Sequence, residues 1–388
     1  MEQKTISLLF TLLRSGLRDE PITDSERARF SEEQLPQLTK LAKRHDVDHL
    51  LVLGLRRNGL TSEKTAEAEK SILLAALRYE RLRSEQEKIC AVLESEGIGF
   101  IPLKGTVLRK YYPESWMRTS CDIDILVREE DVERAASVLE EKCGYIREGK
   151  GSHDISLMAP NKVHLELHYT LIEEGLANKA AQVLQDVWDT AVKCDGCICW
   201  QEMPDEMFYF YHIAHMAKHF EIGGCGIRPF MDLRILDSML EDQTKRDVLL
   251  EQGGLLKFAQ AARTLSRVWF ADTPMDPISQ QMQDYILRGG VYGNAENRVA
   301  VQQQQKGGKV RYVMDKVFLP YDVIKYQYPI LQKYRWLTPI MQVRRWCKLL
   351  FCGHTKRVMR ELEIVGNISD ESARKTRELL INIGINDA

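Results

Sequence analysis

The chain has 388 residues, 44% hydrophobic and 28% charged, a globular balance rather than a disordered or collagen-like one, and long enough to bury a large core without disulfide staples. Lysine plus arginine (54) and aspartate plus glutamate (56) leave a formal net charge of −2. That excludes a whole-surface attraction to nucleic acid or anionic membrane while leaving room for a local basic cleft.

Residues 1–95 read as helical. The opening MEQKTISLLFTLLRSG has too short an apolar run for a signal peptide and is expected to form a helix, with Leu8, Leu9, Leu12 and Leu13 at helical spacing. Leu38, Leu41, Leu50, Leu51 and Leu55 continue that spacing, and 62–93 reads as one long amphipathic helix ended by Gly97. The pattern then changes to strands at 99–103 and 122–127, with a helix at 131–143 closed by Gly144 in the left-handed region. Strands at 153–158 and 163–169 follow, turning at Pro160-Asn161. From Pro204 the sequence is helical again, through 231–240, 255–270 and 278–287. Residues 291–310, polar and glycine-bearing, read as a loop or linker, and the tail from Tyr312 is rich in aromatic and basic residues. No stretch of about 18 uncharged apolar residues occurs, so membrane insertion is not expected. Nine scattered cysteines, an odd number, suit reduced thiols in a cytoplasmic protein.

The strongest chemical signal is Asp122-Ile123-Asp124. On a strand, residues two apart share a face, so both carboxylates project together while Ile123 and Ile125 face a core. Oxygen ligands on a rigid strand suit Mg²⁺ or Mn²⁺; the plain alternative is a solvated strand carrying two acids. Because like charges repel, neutralising both aspartates is expected to leave the fold as stable or slightly more stable. Upstream, Lys104-Gly105-Thr106 reads as a strand end turning into a short helix, where glycine allows close approach and free amides with the Thr106 hydroxyl can hold a phosphate. Downstream, VHLELHY places His164, Glu166 and His168 on one face, making Glu166 a third carboxylate.

LKGTVLRKYYP, RTSCDIDILV and VHLELHY together resemble the DNA polymerase β type of nucleotidyltransferase superfamily. More closely they resemble a bacterial family described as uncharacterised nucleotidyltransferases, over roughly residues 30–290. HIAHMAKHFEIGGCGIRPFMDL is similar to that family's helical half. The resemblance implies an α+β fold in which a small polymerase-β-like mixed sheet (96–172) is flanked by a helical N-terminal region (1–95). A helical domain closing the cleft (173–290) and a linker with a helical C-terminal region (291–388) would follow. It implies Mg²⁺ (or Mn²⁺) held by Asp122, Asp124 and Glu166, and transfer of a nucleoside monophosphate from an NTP to an acceptor that is a small molecule, sugar, protein or RNA. Gly105 and Thr106 would grip phosphates, and Lys104 and Arg118 would offset charge on the leaving pyrophosphate. Glu166 is the plausible general base. The helix carrying His212, His215 and His219 would form a wall of the cleft, with Arg228 and Asp232 held as an internal pair.

Two other readings come from different classes: a noncatalytic nucleotide- or partner-binding protein on the same fold, and a metal hydrolase using His164, Glu166 and His168. His215 and His219, four apart, could bind zinc with Asp232, although packing or substrate contact is the commoner role for such histidines. Cys194, Cys197 and Cys199 lack a second cysteine pair at zinc-site spacing and read as incidental thiols.

Overall fold

Glycine at two helical positions sets how the N-terminal helices meet. The computed structural model describes residues 3–171, 178–239, 243–291, 293–294, 296–299, 301, 314, 317–351 and 370–385. It begins with helices α1 (Gln3–Arg18), α2 (Leu35–Arg44) and α3 (Asp48–Arg57). A Cβ on Gly16 would lie 2.3 Å from the Leu50 carbonyl oxygen, and one on Gly54 would lie 2.1 Å from that of Leu12. Only hydrogen fits at either place, so α1 and α3 cross backbone to backbone. Leu8, Leu9, Leu12 and Leu13 are all buried there, each contributing about 1.5–3 kcal/mol of apolar burial. The expected long helix is α4 (Ala66–Ser95), and Gly97 turns the chain out of it with φ 67°.

The sheet follows. Strand β1 (Phe100–Pro102) leads through the one-turn helix α5 (Gly105–Leu108) to β2 (Asp122–Val127). Helix α6 (Val132–Cys143) ends at Gly144, left-handed as expected, and leads to β3 (Ile146–Lys150), β4 (Asp154–Met158) and β5 (His164–His168). The order is β1-β2-β5-β4-β3. Strands β2 and β5 run parallel and the other pairs antiparallel. The result is an α+β fold with a mixed sheet. Strand β3 is not legible in the sequence: its one large apolar residue, Ile146, is exposed, and its register shifts between Arg147 and Gly149. Such a charged, irregular edge protects the sheet from pairing with another chain.

The period-two alternation divides the sheet's faces. Ile123, Ile125, Leu165 and Leu167 bury against Ile89 and Leu93 of α4 and Ala135, Ala136 and Leu139 of α6. Leu126 and Leu103 look the other way, into a larger core shared with α1–α3, α7 (Asp205–Glu221), α8 (Arg228–Met239), α9 (Leu256–Phe270) and α10 (Pro277–Leu287). The acids of β2 and β5 therefore face α7.

The stretch 291–310 is not all linker. Residues 296–299 are helical, and Asn297, Val299 and Val301 are buried, with the Asn297 amide donating to Tyr285 O at 3.1 Å; residues 302–310 lie outside the described ones. Two valines in a polar context suffice to anchor this segment. Farther on come helices Tyr321–Gln327, Ile330–Lys333, Thr338–Phe351 and Asp370–Asn382. No helix of the described residues is long and apolar enough to cross a membrane.

Candidate functional site

Strand register brings the acids together. Because β2 and β5 are parallel, Asp124 stands abreast of Glu166, and Asp122 abreast of His164. One carboxylate oxygen each from Asp124 and Glu166, and one nitrogen of His168, lie within 4.8 Å of one another. His168 Nε2 is 3.1 Å from Asp124 Oδ1 and 3.4 Å from Glu166 Oε2. Two of the expected ligands, Asp124 and Glu166, are in this group; Asp122, on the same face two residues before Asp124, is not, and the His168 imidazole joins them. Among the described residues this is the one such metal-capable group. Two carboxylates and one imidazole fit a divalent transition ion such as Mn²⁺ at least as well as Mg²⁺.

Lys104 completes the cluster. Its Nζ lies 2.7 Å from Asp124 Oδ1 and 3.9 Å from Glu166 Oε2. The residue pays for that reach with φ 46° and ψ −122°, an uncommon conformation for a side-chain-bearing residue, and such strain concentrates at functional sites. Burial alone would push Asp124's carboxyl up, but Lys104 and His168 outweigh it and hold it well below the usual carboxylate range. Burial works against the Lys104 ammonium, yet Asp124 keeps it raised above its ordinary value. His168 is likewise raised, its hydrogen bonds to Asp124 and Glu166 overcoming burial, and the His168 bond lowers Glu166. Asp122 goes the other way, raised by burial and then by Asp124. The two aspartates are thus unequal: Asp124 is matched by Lys104 and His168, so neutralising it is expected to cost stability, whereas neutralising Asp122 is not.

The Gly105-Thr106 turn departs from the simple phosphate-cradle picture. The Thr106 N–H donates to Leu103 O at 3.2 Å, while the Thr106 hydroxyl is buried with no partner. A Cβ on Gly105 would sit 3.2 Å from Arg118 Nη1 and 3.4 Å from Ser120 Cβ; the glycine admits this chain's own side chains.

Arg118 lies in a second cluster. Its Nε and Nη2 donate to Asp232 at 3.0 and 2.8 Å, and Nη1 donates to Thr119 O at 2.7 Å. Tyr112 Oη adds a bond to Asp232 at 2.7 Å. The expected Arg228–Asp232 pair is therefore not formed: the bidentate fork of Arg118 and the tyrosine fill that carboxylate. Arg228 pairs instead with Asp46 at 3.1 Å, whose carboxylate also accepts from Thr119 Oγ1 at 2.8 Å. Asp46 sits in the α2–α3 turn with φ 55°, and His49 of α3 contacts the Met117 carbonyl at 2.8 Å. The N-terminal helices thereby hold the segment entering β2.

A pocket adjoins the acid cluster, lined by His168, Leu171, Leu184, Tyr211, His215 and Lys218 among others. Helix α7 does form its wall. His215 and His219 face each other with Nε2 atoms 3.2 Å apart, and His212 Nε2 contacts Pro229 O at 2.9 Å. Burial pushes His219 down to about 4 and His215 well below its ordinary value. His215, His219 and Asp232 do not converge into a metal-capable group among the described residues, and Asp232 is bound by Arg118 and Tyr112. His164 pairs with Glu148 at 3.4 Å and does not join Glu166 and His168, which removes the second imidazole of the hydrolase reading. The loop of Cys194, Cys197 and Cys199 is held by Glu94, which accepts the N–H groups of Cys199 and Trp200 at 3.1 Å. Sequence reasoning missed Tyr211, Lys218, Asp46 and buried Arg109; Lys218 and Arg109 lie inside the quoted segments HIAHMAKHFEIGGCGIRPFMDL and LKGTVLRKYYP without being singled out, and Tyr211 and Asp46 lie outside every motif.

Residues 31–271 match the model of a protein family described as uncharacterised nucleotidyltransferase. No curated protein and no solved structure matches the chain.

Proposed function

This chain belongs to the uncharacterised nucleotidyltransferase family, and from that premise we propose that it transfers a nucleoside monophosphate from an NTP to an acceptor hydroxyl beside β2 and β5. The observation that carries this reading is the convergence of Asp124, Glu166 and His168 within 4.8 Å, beside Lys104 and a pocket. In this reading residues 96–172 are the catalytic core, 1–95 support it, 173–290 close the cleft, and 291–388 lie outside the chemistry.

Asp124, Glu166 and His168 would hold a divalent ion, Mg²⁺ or Mn²⁺, with Asp122 close by as a further anion. When bound, the ion supplies Lewis-acid stabilisation to the triphosphate and acidifies the acceptor hydroxyl. Glu166, 29% exposed at its side chain, takes the acceptor proton. The acceptor oxygen forms its bond to the α-phosphorus as the bond to the β-phosphate oxygen breaks, and pyrophosphate leaves. Lys104 offsets the charge that leaves, and the unpartnered Thr106 hydroxyl with Gly105 contacts a phosphate. Arg118, committed to Asp232 and to Thr119 O, acts as a positioning residue for that turn. Tyr211, His215 and Lys218 line a water-sized pocket on the α7 side of the cluster.

One observation favours the noncatalytic reading: Lys104 already neutralises Asp124 at 2.7 Å, so that carboxylate has its counter-charge without a metal. The deciding experiment incubates the chain and each α-labelled NTP with Mg²⁺ or Mn²⁺ and a cell extract. Label moving onto an acceptor, with pyrophosphate released, is expected. No transfer from any NTP with either metal, or equal transfer by Asp124→Asn, would sink the enzyme reading.

A further inference from the structure

The segment 317–351 stands apart chemically from the rest of the chain. Between residues 321 and 351 there are six basic side chains, Lys325, Lys333, Arg335, Arg344, Arg345 and Lys348, against the single acid Asp322. The whole chain carries −2, so the positive charge is local. The helices 321–327, 330–333 and 338–351 close on buried Ile324 and Leu331. Their inner polar groups are satisfied: Tyr321 Oη donates to Leu331 O at 3.0 Å, Gln342 Nε2 to Leu319 O at 2.6 Å, and Trp346 Nε1 to Val317 O at 2.8 Å.

The outside is apolar where a free-standing helix would be polar. Trp336 is 72% exposed, Ile340 54%, Val343 51% and Ile330 48%. In the helix Thr338–Phe351, Ile340, Val343 and Cys347 recur at intervals of three and four, so they share a face, and exposed Arg344 and Lys348 flank it. Apolar anchors with an exposed tryptophan and a basic border are the arrangement that settles into the headgroup region of a bilayer. We propose that this C-terminal unit docks the protein on an anionic lipid surface, lying in the interface without crossing it.

The same observations weigh against single-stranded nucleic acid, the other polyanion that basic and aromatic residues bind. Base stacking needs open ring faces. Here three tyrosine rings already carry the chain's own cations, Arg335 4.4 Å from the Tyr321 ring centre, Lys333 5.5 Å from that of Tyr334 and Arg344 5.9 Å from that of Tyr328, while Trp336 and Phe318 stay exposed. Of the exposed apolar side chains just named, all but Trp336 and Phe318 are aliphatic, and aliphatic groups bury in acyl chains but do not stack on bases.

The test is co-sedimentation of the full chain with phosphatidylcholine vesicles containing about 30% phosphatidylserine, against pure phosphatidylcholine vesicles, at low and high salt. Partitioning at least tenfold stronger onto the anionic vesicles, weakened by salt, is expected. Arg344→Glu/Lys348→Glu should abolish that preference, and Trp336→Ser/Ile340→Ser should weaken binding about tenfold or more, with the melting temperature unchanged in both. If the apolar variant unfolds, the charge variant and the salt series decide alone. Equal binding to both vesicle types, no binding to either, or no effect of the charge reversal would overturn the proposal. So would a single-stranded RNA oligonucleotide that binds more tightly than the anionic vesicles and loses its affinity in the same charge variant.

Discussion

Two buried charge clusters flank the Gly105 turn, and they are built on opposite terms. Around Asp232 the carboxylates are met by geometrically suited partners: Arg118 forks onto Asp232, Tyr112 caps it, and Arg228 pairs with Asp46. Around Asp124 three carboxylates, counting Asp122, share Lys104 and His168, and the cluster borders a pocket. A closed network rigidifies, whereas an anionic surplus beside a pocket leaves room for a further cation or a proton. The difference separates residues that hold the motif loop in place from residues positioned for chemistry.

The comparison breaks first on stability. Asp232→Ala strands the Arg118 guanidinium without a counter-charge and should cost about 3–5 kcal/mol, read as a lower denaturation midpoint. A loss under 1 kcal/mol would show that the network is not a structural clamp. Asp124→Asn tests the other cluster. It removes the partner of both Lys104 and His168, so we expect about 3 kcal/mol of lost stability together with loss of transfer, whereas an unchanged midpoint would mean that Lys104 relaxes freely into solvent. Glu166→Gln sharpens the contrast, since it should lower turnover by on the order of 10²-fold while NTP affinity changes little. Full turnover in that variant would remove Glu166 from the proton-transfer role.

A smaller effect depends on pH. His45 is held down to about 3 by burial, with Arg44 and Arg228 adding to it, and His219 to about 4 by burial and the neighbouring lysines. Both stay neutral in the folded chain while the unfolded chain takes up protons below about 6.5, so stability should fall as pH drops from about 6.5 toward 4. Neither ring nitrogen of His45 has a hydrogen-bond partner. His45→Leu should therefore raise stability at neutral pH by about 1–2 kcal/mol and flatten this slope in urea melts; an identical slope would assign the acid sensitivity elsewhere. The smallest effect is at Asp122, raised by burial and by Asp124. Asp122→Asn should leave stability equal or higher by up to about 1 kcal/mol, and a clear destabilisation would mean that Asp122 has an essential cationic partner.

The amino-acid sequence by itself determined what local periodicity and side-chain chemistry encode. Alternation in Asp122–Val127 and His164–His168 assigned both strands and put Asp122, Asp124, Glu166 and His168 on the polar side, as the structure has them. Apolar residues at helical spacing assigned α1 and α4, although in α4 the later set, Ile89, Cys90 and Leu93, is buried while Leu73 and Leu77 are exposed, and Gly144 marked the end of α6. Strand β3 escaped because an exposed edge needs no apolar alternation, and burial of Val299 and Val301 escaped because two residues make no pattern. Only the tertiary structure decided the partners of the charges. Parallel pairing of β2 with β5 set Glu166 beside Asp124 and left His168, not Asp122, to complete the trio. Packing of α8 against the loop before β2 gave Asp232 to Arg118, 114 residues away, and the α2–α3 turn gave Asp46 to Arg228. Coulomb and hydrogen-bond energies depend on distance and burial, and neither follows from separation along the chain; residue type limits which pairs can form, and register and helix packing select among them.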